Sequence, residues 1–306
     1  MAGGEDKAKN YDDISGLAYY WLEANMGRVL LVVAFAGLGL WGFLLEGKEG
    51  LDRGRAFIRY LGAEMAGIGI ATVAIDALNE KRQRDNRKAQ LIAQLGSQSR
   101  VVTEMALLEL KHEEWLYDGT LRGGNLRGAA LSRADLSGAD LTNAVLADAD
   151  LSNATLVGVD LTGADLSNAT LSEAVMERAV LPRAKLREAT ATEADLTEAD
   201  LTEADLGGAD LSRAILLQTT LRWADLTRAK LSQAELLLTD LSNIKSWSVE
   251  QLKQAETVEG SIMPDGVCLR QEGSRTSARQ GPTFEEWQAR YLAQHGGTEA
   301  DLRSGP

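Results

Sequence analysis

Residues 194–211 read ADLTEADLTEADLGGADL. An apolar residue returns there at every fifth position, with Asp one place before it and Ala two places before it. Followed in both directions, the same spacing runs from Leu121 to Leu241 and gives 25 such centres, 23 of them Leu; the exceptions are Met176 and Ala191. Between Ala129 and Thr239 the site two before the centre is Ala in 20 of 23 cases, with Val159, Thr219 and Thr239 departing. No insertion breaks the count.

A period of five matches neither the 3.6 of a helix nor the 2 of a strand, and a heptad coiled coil fails for the same reason. The spacing predicts a chain that turns once per five residues and points one large and one small apolar side chain inward each time. Four turns close a square coil of twenty residues. Stacked at the interstrand spacing of ~4.8 Å, the 25 units make roughly six coils and a rod about 30 Å long. Ala suits the corner where neighbouring walls approach, and Leu fills the axis.

The pattern A-(D/N)-L-x-x over residues 119–245 resembles the pentapeptide repeat family. That resemblance implies an all-β solenoid, a right-handed quadrilateral β-helix, and is almost silent on activity. The family includes membrane-associated scaffolds and proteins that mimic the shape and charge of DNA. The AIDALNEKR stretch at 74–82 and WLYDGTLRG at 115–123 are similar to the amino-terminal half of two-span bacterial members.

The flanks extend this reading. Val29 to Leu45 is 17 residues without a charge, close to the ~20 that cross a bilayer. The polar residues before it and the absence of a small-residue cleavage site argue against a signal peptide. Ala56 to Leu78 is expected as a second span: it carries Arg59, Glu64 and Asp76, but Ala63, Gly67 and Ala71 form a small-residue stripe suited to close helix packing. Eight flanking cations outside the pair against four between them place both termini on the cytoplasmic side of a bacterial inner membrane. Lys81, Arg82, Arg84, Arg87 and Lys88 are candidates for lipid headgroup contact. The expected organisation is a polar segment (1–25), a membrane hairpin (26–78, spans about 27–45 and 56–78), a basic helical linker and cap (79–118), the β-helix (119–245), a C-terminal cap (246–269), and a linker, short helix and disordered tail (270–306). Ser248 with Gln251 and Thr283 with Glu286 have capping-box spacing, each marking a helix start.

Composition narrows the chemistry. The chain has 32 Lys or Arg against 45 Asp or Glu, a net charge of -13, which argues against a nucleic-acid surface built on bulk positive charge. One cysteine and two histidines leave no material for a disulfide framework or a His/Cys metal site. No Gly-rich phosphate loop or His-Glu-x-x-His is present. The repeat carboxylates flank the centres and point outward, where nothing should perturb them. No enzyme activity, cofactor, metal, nucleic-acid partner or small-molecule substrate is expected.

Two functions remain: a membrane-anchored scaffold that presents a rigid surface to a protein partner, or an acidic mimic of DNA that occupies a DNA-binding enzyme such as a topoisomerase. Residues 119–245 hold 19 acidic and 12 basic side chains, and Arg178, Arg183, Lys185 and Arg187 make a basic belt that a DNA mimic would not want. Residues twenty apart stack on one wall. The wall with centres Leu136, Leu156, Met176, Leu196, Leu216 and Leu236 then gathers Val175, Ile215, Leu217, Leu237 and Leu238 as an outward apolar patch. Its expected cover is a protein partner, a second copy of the chain, or the tail's own apolar face of Phe284, Trp287 and Tyr291.

Overall fold

The computed structural model describes residues 48–270 and 281–295, and the chain divides into two compact units, Met1–Asn86 and Arg87–Pro306. The helix α1 runs from Lys48 to Leu95 without a break. Residues 48–55, expected as the loop of a membrane hairpin, are its first turns. Among the described residues no helix is long and apolar enough to cross a membrane. The physical reason lies in the charges: between Glu64 and Asp76 only 11 residues, Met65 to Ile75, are uncharged, about half of a span. This overturns the expected second span, the hairpin built on it, and the multi-pass inner-membrane placement. Val29–Leu45 lies outside the described residues, as do the first 47 residues and the last 11.

In the second unit, the end of α1 and helix α2 (Arg100–His112) close the start of the rod. Leu91, Leu95, Ala106, Leu107, Leu110 and Leu116 are buried, continuous with the Leu core of the coils. The α1–α2 turn carries Gly96 because a Cβ there would lie 2.9 Å from the Asn125 carbonyl oxygen.

Each five-residue unit in the middle of the rod has the same bonds. Around Leu131, the Leu131 N–H donates to Asp150 O (2.8 Å), Asp150 N–H to Ala129 O (3.0 Å) and Arg133 N–H to Ser152 O (2.9 Å), all to the next or previous coil. Ala134 N–H then closes the corner on Leu131 O (3.0 Å). Parallel bridges link residues twenty apart, from Asn125 with Val145 to Asp225 with Lys245. Each wall contributes a single bridged residue, so among the described residues the solenoid is made of isolated bridges with no extended strands.

The corner residue two after the centre adopts positive φ: Arg133 at 60°, Glu198 at 60°, Trp223 at 61°. With the residue before it at ordinary φ, this is a type II turn. The left-handed conformation costs a non-glycine residue of order 1–2 kcal/mol, and the ladder and core impose it on Arg, Glu and Trp alike. The centres and their Ala partners are buried, Met176 at 0% and Ala191 at 2% exposure included.

The far end is closed by helix α3 (Val249–Lys253), the segment 255–270 and helix α4 (Phe284–His295). Both capping boxes form. Ser248 accepts from Gln251 N–H while Gln251 Oε1 accepts from Ser248 N–H, and Thr283 and Glu286 exchange the same pair of bonds. Ile262 pairs antiparallel with Cys268 around a turn closed by Gly266 N–H on Met263 O (2.8 Å).

Candidate interaction surfaces

Where Asp precedes a centre, it is a structural residue. Asp135 Oδ1 accepts from Ser137 N–H (3.1 Å) and from the Ser137 hydroxyl (2.7 Å), and Asp165 with Ser167 and Asp200 with Thr202 repeat this. A short carboxylate that bonds the backbone two residues on fixes the start of the corner, which explains Asp before and Ser or Thr after so many centres. Contrary to expectation, the carboxyls of Asp135, Asp140, Asp165 and Asp210 are held below the usual carboxylate range. Lys111, reaching from α2 to Asp135 (2.6 Å), together with Ser137 holds that carboxyl down to about 2. The Ser167 hydroxyl holds Asp165 below the usual carboxylate range. For Asp140, partial burial pushes upward, and Thr142 with Arg122 outweigh it.

The cations of the rod pair across coils. Arg178 meets Glu198, Arg183 meets Glu203 (2.8 Å), Lys185 meets Asp165, and Arg187 meets Asp205 (3.1 Å). Arg213 with Glu193 and Lys230 with Asp210 continue the pattern. Exposed pairs of this kind contribute little stability each. Their effect on the surface is larger, since they interleave positive charge among the carboxylates from coil to coil.

Ile215 bridges Glu235 and Gln218 N–H donates to Leu237 O (3.0 Å), so Leu217 and Leu237 lie in consecutive coils. Val175, Ile215, Leu217, Leu237 and Leu238 are all part-exposed. At the adjoining corner the small inward residues turn polar. Thr219 and Thr239 donate hydroxyls to Leu196 O (2.7 Å) and Leu216 O (2.6 Å), and Ser261 donates to Leu236 O. The sequence marked Thr219 and Thr239 only as departures from Ala; each is buried with its hydroxyl bonded.

The tail helix docks on the cap. Trp287, 2% exposed, donates its indole N–H to the Asp265 carboxylate (3.0 and 3.1 Å) and stacks between Phe284 (5.6 Å) and Tyr291 (5.2 Å). Trp247 packs against Trp287 and Tyr291 at 6.2 and 5.4 Å. Burial and the Asp265 charge push the Tyr291 phenol up. Trp247 and Asp265 are partners that sequence reasoning did not find.

Of the headgroup candidates, Arg87 forks onto Glu109 and Lys88 bonds Asp118 (2.6 Å) beneath the Trp115 ring, so both fasten α1 to the cap. Lys81, Arg82 and Arg84 are exposed on α1. Among the described residues no group of three His, Cys, Asp or Glu is placed to hold a metal ion. A groove of about 370 Å³ between 252–259 and the start of α4 is lined by Leu252, Val258, Leu269 and Phe284.

A model of pentapeptide repeats matches the chain in eight copies between residues 125 and 243. No curated protein sequence matches it. Among solved structures, the pentapeptide repeat protein Rfr23 of the cyanobacterium Cyanothece 51142 is 30% identical, with 37% of this chain covering 93% of that one at a TM-score of 0.34. HetL of Nostoc sp. PCC 7120, a pentapeptide repeat protein involved in heterocyst differentiation regulation, is 33% identical over 48% of this chain and 75% of its own, at 0.28. QnrB1, a plasmid-mediated fluoroquinolone resistance protein, is 16% identical over 58% of this chain and 90% of its own, at 0.39. The chain belongs to the pentapeptide repeat family, whose fold is the right-handed quadrilateral β-helix.

Proposed function

We propose that the protein is a scaffold that binds another protein through the wall centred on Leu216 and Leu236. One observation carries this reading: Ile215, Leu217, Leu237 and Leu238 lie side by side in two consecutive coils and remain part-exposed. Full burial of a Leu or Ile is favourable by ~1.5–3 kcal/mol, so a partner that covers what is still open gains from each of the four. The aromatic face of the tail has its partners in Trp247 and Asp265, which favours a separate molecule as the cover. The rod supplies rigidity, and no catalytic role is assigned to any residue.

Mimicry of DNA is the weaker reading. Duplex DNA carries one charge per ~1.7 Å of axis with no cations between, and here Arg178, Arg183, Lys185 and Arg187 each answer a carboxylate of the adjacent coil. A gyrase supercoiling assay with micromolar protein should show neither inhibition nor protection. The scaffold reading is tested by affinity purification with quantitative mass spectrometry of three chains: the wild type, Leu217→Asp/Leu237→Asp, and a control with Ser152→Asp/Ser172→Asp on another wall. Co-purifying proteins should be lost from the first variant alone. An identical set from all three chains would remove the patch from the function.

A further inference from the structure

The wall centred on Leu216 and Leu236 ends in an unfinished layer. Thr257 bridges Glu235 and accepts from Leu236 N–H (2.8 Å), so Thr257 stands one place before a centre and Val258 is that centre. In the preceding coils a centre N–H donates to the next layer, and the carbonyl two places before the centre accepts from it. Leu131 and Ala129 do this with Asp150. Here the Val258 N–H and the Glu256 carbonyl have no partner among the described residues. Both residues border the groove of about 370 Å³ whose apolar lining is Leu252, Val258, Leu269 and Phe284. Val258 is only 9% exposed, and an orphaned buried N–H is rare in a folded protein. The groove therefore fits one more unit: a backbone that accepts from Val258 and donates to Glu256, followed by an apolar side chain. The chain holds such a unit. Residues 298–302 read TEADL, identical to 192–196, 197–201 and 202–206 of the rod, and contain the one Ala-Asp-Leu outside 119–245.

We propose that residues 298–302 dock in this groove of their own chain as a detached last unit of the solenoid, adding an extended segment to its open edge. Asp301 N–H then donates to Glu256 O, and Asp301 O accepts from Val258 N–H. Leu302 enters the apolar lining in the column of Leu216, Leu236 and Val258. The connection is long enough. Helix α4 starts at the groove with Phe284 and has 12 residues, so it is ~18 Å long. From His295 to Asp301 are six residue steps, which extend to about 21 Å. Gly296 and Gly297 stand directly after the helix, where glycine lets the chain reverse. The docked unit closes the end of the axis and does not depend on what covers the outward patch of Ile215, Leu217, Leu237 and Leu238.

Hydrogen exchange of the full chain, read at single amides by NMR, tests the pairing. The Val258 amide should exchange at least tenfold more slowly in the wild type than in Leu302→Asp, while Leu131 and Leu171 exchange alike in both. Asp301→Pro, which removes the donor to Glu256 O, should release Val258 to the same extent. An unprotected Val258 amide in the wild type, or one indifferent to both substitutions, would overturn the proposal. A cross-link tests the register. Bridged residues of neighbouring layers lie ~4.8 Å apart, within the span of a disulfide. In a Cys268→Ser background, oxidation of Thr257→Cys/Asp301→Cys should join the two positions within one chain at least tenfold faster than in Thr257→Cys/Glu299→Cys. Equal rates, or a link formed only between two chains, would be equally fatal.

Discussion

In the middle coils each wall amide meets a carbonyl of the neighbouring coil, whereas at the two ends side chains and helices meet those groups. At the start, Ala130 N–H donates to Ser97 O and the Thr103 hydroxyl donates to Ala130 O (2.7 Å). At the finish, the Gln251 side-chain amide donates to both Leu226 O and Ala229 O at 2.9 Å. A solenoid is quasi-one-dimensional, so its interior units are interchangeable and its ends are not. The middle is held by volume at the axis and the ends by particular hydrogen bonds, and substitutions should separate the two.

The largest loss is expected in the middle. Leu171 is fully buried, and Leu171→Ala removes core volume that neighbouring coils cannot refill, at a cost of ~2–5 kcal/mol in urea unfolding. A cost under 1 kcal/mol would mean the axis is loosely packed. An end residue comes next. Gln251→Ala removes the donor to Ala229 O, while Leu226 O keeps the Ala229 N–H, and a buried unsatisfied acceptor costs about 1–3 kcal/mol. Hydrogen exchange should rise around 226–262 while 130–200 stays protected. Uniform loosening along the rod would show that the ends are not separate from the middle.

The smallest effect sharpens the comparison through pH. Asp135 is held at about 2 in the fold, chiefly by Lys111, below the ordinary carboxylate value. A lowered folded pKa stabilises above the unfolded value and loses that contribution as pH falls from ~4 through 2. Because the pair is part-exposed, Lys111→Met should cost no more than ~1 kcal/mol at pH 6, and the gap between wild type and variant should narrow steadily as pH falls from ~4 through 2. A gap of unchanged size at pH 6 and pH 2 would assign Lys111 a packing role.

The coil was legible because Leu and Ala report the inward positions directly, and the two capping boxes were legible because their partners lie three residues apart. The left-handed corner was not, since Arg133, Glu198 and Trp223 have no local preference for it; pairing to neighbouring coils overrides the side chain. The cross-coil pairs of Arg183 with Glu203 and Lys230 with Asp210 follow from counting twenty. Arg187 with Asp205, eighteen apart, depends on side-chain reach. The Trp247, Asp265 and Trp287 cluster joins residues that no period relates. Around α1, a stripe of small residues suggested a second span, but the charges at Arg59, Glu64 and Asp76 were the stronger signal. On the patch, spacing alone placed Leu217 beside Leu237, and only the structure revealed the hydroxyl ladder along the adjoining corner.

The twenty-residue coil is tested most directly by thermal unfolding of a chain from which residues 161–180 are excised, joining Asp160 to Leu181. Since the excision removes one full circuit and keeps every wall in line, that chain should retain the far-ultraviolet spectrum of the solenoid and melt in a single cooperative transition. An unfolded or non-cooperative product would contradict a coil of twenty interchangeable residues.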